Sequence, residues 1–273
     1  MVTLPSPASA GPDAPHLHPE IAQGFGADAE KYDRARPRYP SPLIDAIVDG
    51  LPGDRILDVG IGTGIAAEPF RDRGLTVVGV EPDPQMAAVA RAKGLVVEAG
   101  RFEEWDPAGR TFDALVSGQT WHWIDPIAGA EKAARVLHAG ARFAIFWNAL
   151  VPAPDVAAEF AKVFESLNTG LPFNPWAAPP QADPYGAIID RAVDGLRRTG
   201  AFGSVQRRAL EWQAIVGRDA WLEQASTAGG INRLPKDQLE LLLHGMGEAI
   251  DAVGGTLVID YTTVAAITDR LPG

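Results

Sequence analysis

Residues 56–64 read ILDVGIGTG, and this stretch restricts the fold more than any other in the chain. Ile56–Val59 is a short apolar run bounded by Gly53-Asp54 and Gly60, the pattern of a buried strand. It ends in an acid, Asp58, and three glycines then alternate with other residues at 60, 62 and 64. Without Cβ atoms, Gly60, Gly62 and Gly64 can take dihedrals closed to other residues and let a ligand lie against the backbone. GIAAEPF is expected to begin a helix that Pro69 limits.

The same rhythm continues downstream. LTVVGVE (75–81), LVVEAG (95–100), TFDALVSG (111–118) and ARFAIFWNA (141–149) read as strands. PQMAAVARAKG, stopped at Gly94, and the run from Pro126 to Leu137, closed by His138-Ala139-Gly140, read as helices. Alternating strands and helices imply a parallel sheet with helices on both faces. After Asn148 the rhythm changes. Helices are expected over 155–168, about 187–199, DAWLEQASTA and PKDQLELLLHGMGEAIDAVG, with late strands at SVQRRALEWQAIV and TLVIDYTTVAAIT. The expectation is a Rossmann-like α/β fold: a seven-stranded, mostly parallel sheet with an antiparallel edge and a helical or loop insertion after strand five. Residues 1–20 read as a disordered tail and 21–273 as one domain, with core segments 40–150 and 200–270 and a lid-like insertion at about 150–190. Within that insertion, TGLPFNPWAAPPQADPYG (169–186) is a long Pro/Gly-rich loop, a length usual for functional lids.

Composition excludes several chemistries. There are no cysteines, which removes disulfides, zinc–thiolate sites and thiol nucleophiles and fits a reducing cytoplasm. The formal charge of −11 repels a nucleic-acid backbone, and the densest basic cluster, RARPR at 34–38, is short and interrupted by proline. No run approaches the ~20 apolar residues that span a bilayer. His16 and His18 have metal-ligand spacing but no third ligand nearby, so no metal site is expected.

Two nucleotide readings compete at the glycine turn. A dinucleotide fingerprint is G-x-G-x-x-G, but here the third glycine comes one residue early and Ile65 holds its place. The carboxylate of Asp58 would repel a pyrophosphate and attract an ammonium or a sulfonium. S-adenosylmethionine (SAM) carries both cations and no phosphate. Glu81, 17 residues after Gly64, ends the second strand and can accept hydrogen bonds from both hydroxyls of a ribose, which would serve either nucleotide.

DVGIGTG with VGVEPDPQM resembles motifs I and II of class I SAM-dependent methyltransferases. FGADAEKYDRARPRYP (25–40) and GQTWHWID (118–125) resemble segments of a small-molecule branch often described as type-11-like. The resemblance implies that Asp58, Gly60, Thr63 and Gly64 cradle the methionine end of the cofactor and that Glu81 holds its ribose. It implies that Pro82 and Met86 flank the adenine, that Arg101, Phe102 and Glu103 meet the adenine edge, and that Ser117, Gly118 and Gln119 border the methionine moiety. Tyr32 and Arg36 would close over the cofactor, with Arg36 against its carboxylate.

The implied reaction is in-line SN2 methyl transfer to a small organic acceptor, with S-adenosylhomocysteine (SAH) as product. The sulfonium already makes the methyl reactive, so alignment and exclusion of water matter most and a base is optional. His122 can take a proton from a hydroxyl acceptor, but a hydrogen-bonded histidine of the pocket wall is the favoured reading. Trp121 and Trp123 read as an acceptor wall or as core, and Phe173 and Trp176 as aromatics capping an acceptor pocket. A non-catalytic SAM/SAH-binding protein and, less well matched, an NAD-linked oxidoreductase are the alternatives.

Overall fold

A computed structural model describes residues 28–167 and 185–272, together with 16, 26, 169, 174–177 and 183. The proposed tail, apart from His16, and Phe173 lie outside the described residues.

Two short helices, α1 (Ala29–Ala35) and α2 (Ser41–Val48), precede the sheet. Its strands are β1 (Arg55–Val59), β2 (Thr76–Glu81), β3 (Val96–Ala99), β4 (Phe112–Gly118), β5 (Leu137–Pro152), β6 (Gln206–Gly217) and β7 (Thr256–Asp269). Their spatial order is β3-β2-β1-β4-β5-β7-β6. The first five are parallel, while β7 runs antiparallel to β5 and β6 antiparallel to β7. The antiparallel pair therefore closes one side of the sheet, with β6 outermost. The strand order reverses between β1 and β4, which opens a crevice at their carboxyl ends.

The first helix after the glycine turn, α3, covers only Glu68–Arg71, shorter than the sequence predicts. All three glycines have positive φ (67°, 57° and 90°), so the helix cannot start before them, and turns fill the gap up to Ala67. Helices α4 (Pro84–Ala92) and α5 (Pro126–Val136) begin where expected. Each has proline in its first turn and an aspartate ahead of it, Asp83 or Asp125, whose carboxylate accepts two backbone N–H bonds. The predicted helix stop at His138-Ala139-Gly140 lies instead within β5, which starts directly after α5. His138 is held there by the Asp113 carboxylate at 2.7 Å. Helix α2 has no counterpart in the sequence reading.

Apolar layers cover both faces of the sheet, one around Leu115, Trp121, Phe143 and Trp147, the other around Ile44, Phe70, Val116 and Phe146. A third cluster departs from the expected domain plan. β4 stops pairing with β5 at Phe146, but β5, β7 and β6 continue as a three-stranded ribbon as far as Pro152, Ile259 and Ala214. On this ribbon sit α6 (Pro154–Ser166), α8 (Arg218–Ser226) and α9 (Lys236–Ala252), packed around Phe160, Trp221, Leu242 and Tyr261. The helices between β6 and β7, expected in the core segment 200–270, thus join α6 in one cap. Helix α7 (Gly186–Thr199) returns to the sheet, where Gly195 lies against the Pro126 carbonyl.

Candidate functional site

The crevice at the carboxyl ends of β1 and β4 holds the glycine turn, and only part of it is open to a ligand. A Cβ at Gly60 would strike the Thr120 side chain, and one at Gly64 would strike Leu95. Those two glycines answer to the protein's own packing. Only Gly62 faces open space.

Asp58 is fully buried, and neither carboxylate oxygen has a hydrogen-bond partner. Burial, then the nearby Glu81 charge, push its carboxyl up to about 8. A buried unpaired carboxylate is costly, and a cation brought beside it would remove most of that cost. Glu81 is also buried, and burial raises it to about 7. Its Oε2 accepts from the Gly62 N–H and its Oε1 from the Asp83 N–H, both at 2.9 Å. A carboxylate has about four acceptor positions. Two backbone donors therefore leave Glu81 able to accept two hydroxyls.

Helix α1 is strapped across this turn. The Thr63 hydroxyl donates to Asp33 at 2.8 Å, and Lys93 pairs with the same Asp33 oxygen at 2.5 Å. Thr63 is thus committed to α1. On the other side, Arg34 pairs with Glu223 at 2.7 Å, and Arg36 donates to the Thr227 carbonyl at 2.7 Å. The Arg36 guanidinium lies over the Tyr32 ring at 4.7 Å. Tyr39, Tyr185 and Tyr261 also lie within its electrostatic reach. All four tyrosines of the chain thus converge on one arginine.

Beyond β4, Gln119 has φ of 58°, a left-handed conformation uncommon outside glycine and often found at functional sites. Its Nε2 donates to the Asn148 carbonyl at 3.2 Å, which also accepts from the Tyr185 hydroxyl at 3.4 Å. The Asn148 side chain accepts from Thr263 at 2.6 Å, and Trp212 donates to that threonine at 2.8 Å. Sequence reasoning missed Asn148 as the centre of this network. Its position at the point where β5 outruns β4 was the available signal.

The structure corrects several expected roles. The Trp147 indole N–H donates to His122 Nδ1 at 3.1 Å. The neutral imidazole must then carry its proton on Nε2, and the position that would take a proton is occupied. Burial, then the charge of Arg191, hold His122 down to about 3. The ring is neutral and its Nδ1 is already engaged, as in the pocket-wall reading. Trp121 is buried edge-on to Phe143 at 4.8 Å, and Phe102 is buried against Trp121 and Trp105. Both are core. Ser117 is buried, with its hydroxyl donated to the Val59 carbonyl at 2.8 Å. Glu103 accepts from the Asp125 N–H and lies 3.6 Å from Arg101. Gly118 abuts Tyr39 and Phe146. Trp176 is buried between Phe160 and Phe164 inside the cap, so it caps no pocket. Half-buried Trp123 lies beside His122 at 4.8 Å and stays available as wall. Met86 is buried at the start of α4, and Pro82 is exposed just before it. Among the described residues no group of three acids or histidines could hold a metal ion, and no helix is long and apolar enough to cross a membrane.

Comparison with known proteins bears on the domain and the fold. Residues 57–145 match the family model described as "Methyltransferase domain". An uncharacterized methyltransferase of Mycobacterium tuberculosis is 37% identical over 131 residues, covering 47% of this chain and 54% of that protein. A demethylmenaquinone methyltransferase of Renibacterium salmoninarum is 33% identical over 106 residues, covering 35% of this chain and 44% of the other. The chain spans about half the length of these curated relatives. A solved structure named for a type II methyltransferase of Anaeromyxobacter dehalogenans is similar over 87% of this chain and 99% of its own, with a TM-score of 0.61 at 21% identity, a likeness of fold. The matched domain runs from β1 into β5 and takes in the glycine turn, so the likeness to methyltransferases is carried by that part of the chain.

Proposed function

We propose that this protein transfers a methyl group from SAM to a small organic acceptor by in-line displacement at sulfur. The observation that carries this reading is Asp58, buried and with both oxygens unpaired beside the open Gly62. A pyrophosphate there would meet a like charge, whereas the ammonium or sulfonium of SAM would relieve it. Glu81 has the remaining acceptor positions for two ribose hydroxyls, and Met86 and Pro82 would flank the adenine.

SAM would supply the electrophilic methyl. The chain's residues would bind, orient and exclude water. The partly exposed rings of neutral His122 and Trp123 would form the wall of the acceptor site, backed by the buried Trp147–Tyr185 stack with centroids 5.6 Å apart. No side chain there is set up as a proton acceptor, so the acceptor must bring its own nucleophilic lone pair.

Calorimetry of the full chain with SAH and with NAD tests the assignment. SAH is expected to bind at micromolar levels and to raise the melting temperature by mass action, while NAD does neither. NAD binding without SAH binding would overturn the reading. Conversion of SAM to SAH with a pool of small acceptors separates an enzyme from a silent SAM-binding protein.

A further inference from the structure

A second set of unpaired groups lies where α1 meets the cap, and it is built from donors. Arg36 Nε is buried without a partner, and among the described residues no carboxylate pairs with this arginine. Gln224 on α8 is 3% exposed, and its Nε2 has no partner. Trp221, three residues earlier on the same helix face, carries another unpaired buried N–H. Arg36 and Gln224 are close neighbours. Arg36 anchors on the Thr227 carbonyl, and the Thr227 N–H and hydroxyl both return to the Gln224 carbonyl, at 3.2 and 2.9 Å. Tyr261, buried and stacked on Trp212 at 4.1 Å, lies against the Gln224 amide and within reach of the Arg36 charge.

We propose that Arg36 and Gln224 form a carboxylate site at the junction of α1 and the cap, and that the acceptor is a small organic acid held there by its carboxylate. This rests on the methyltransferase reading above. Buried N–H groups without partners are satisfied by a ligand rich in acceptor oxygens. One guanidinium and one primary amide match the single charge and two oxygens of a carboxylate. A phosphate dianion would bring a second negative charge towards a crevice that already holds Asp58 and Glu81. The partly exposed rings of His122 and Trp123, 4.8 Å apart, accommodate an apolar body. The acceptor is thus apolar at one end and anionic at the other.

A carboxylate could also come from the amino-acid end of the cofactor, and the experiment separates the two sources. The full chain saturated with SAH is titrated with benzoate and phenylacetate, then with the neutral isosteres benzamide and phenylacetamide, and with phenyl phosphate. The carboxylates are expected to bind at least tenfold more tightly than the amides and more tightly than the phosphate. Gln224→Glu and Arg36→Gln are expected to abolish that tenfold preference, and Gln224→Glu to leave SAH affinity within twofold of the parent. Equal binding of acids and amides, or binding of none, overturns the proposal. So does a Gln224→Glu variant that loses SAH while keeping 5′-methylthioadenosine, which lacks the amino-acid end, because the carboxylate would then be the cofactor's. The comparison of acids with amides needs no variant and stands even if both substitutions impair folding. If SAH itself fails to bind the parent protein, the methyltransferase reading fails; if SAH binds and the acids do not, only the carboxylate site fails.

Discussion

The two halves of the crevice are unsatisfied in opposite senses. On the parallel side, around β1 and β2, the unmet groups are acceptors: both oxygens of Asp58, with Glu81 beside them. On the antiparallel side, where α8 meets α1, they are donors: Arg36 Nε and the Gln224 and Trp221 N–H groups. Helix α1 bridges them, tied to the turn through Asp33 and Thr63 and to the cap through Arg34 and Arg36. Buried polar groups left unpaired cost about 1–3 kcal/mol each. The protein carries such a cost on both sides of one crevice, with signs that suit a cationic nucleoside on one side and an anionic acceptor on the other.

Replacing Asp58 by Asn breaks the parallel side and should have the largest effect. Losing one partner of a buried charged contact costs about 2–5 kcal/mol. SAM affinity by calorimetry should therefore fall at least roughly 30-fold. The unliganded protein should move the other way, with a melting temperature at pH 8 higher by roughly 3–6 °C, at about 2–4 °C per kcal/mol for a chain of this size. Loss of both stability and affinity would show that Asp58 is a structural acid.

The parent protein carries the same information in its pH dependence. Folding raises Asp58 to about 8 and Glu81 to about 7, above their ordinary values of 3.8 and 4.5. Between those limits the folded state binds more protons than the unfolded one. Stability should therefore fall as pH rises from about 4 to about 8 and level off above that. Urea unfolding across that range measures the slope, and Asp58→Asn should flatten its upper part. A slope of the opposite sign would remove the unpaired carboxylate from the argument.

The glycines allow a finer division. Gly64→Ala must displace Leu95 at a φ of 90° and should lower stability by about 2 kcal/mol. Gly62→Ala meets nothing and pays only for its left-handed φ, about 1 kcal/mol. Its new methyl faces the ligand side, so the clearer effect should be on SAH affinity, about tenfold weaker. If Gly64→Ala and Gly62→Ala changed stability and affinity alike, the split between packing and ligand glycines would fail.

The parallel half was legible in the sequence because its signals are local. An apolar run and a turn of glycines each act within a few residues, and β1 to β4 and α4 lie where the pattern put them. In the antiparallel half the strands, the helices and the edge were legible, but their assembly was not. The cap assembles from α6, α8 and α9, segments separated by whole strands, and no periodicity announces that Phe160, Trp221 and Tyr261 share one core. The same distance hid the site roles. Trp121 and Trp176 carry the residue type of a pocket wall, but long-range packing decided that both are core. Gln224 is an ordinary helix glutamine until Arg36, 188 residues earlier, is set beside Thr227.

The smallest effect is expected at His122, the residue the sequence offered as an optional base. Its Nδ1 accepts from Trp147, so protonation there would require breaking that bond in an environment that already holds the ring neutral. His122→Asn keeps a polar acceptor near the indole and should change turnover by less than about threefold, a barrier change of about 0.6 kcal/mol. The pH–rate profile should keep its shape, because a group held far below neutral pH contributes no inflection between pH 6 and 9. Trp147→Phe supplies the converse. Without the indole donor, Nδ1 is released to accept a proton, and the pKa of His122 by NMR titration should rise from the low value set by burial. A drop of a hundredfold or more in His122→Asn, with loss of an inflection near neutral pH, would return this histidine to the chemistry and require an acceptor that must be deprotonated.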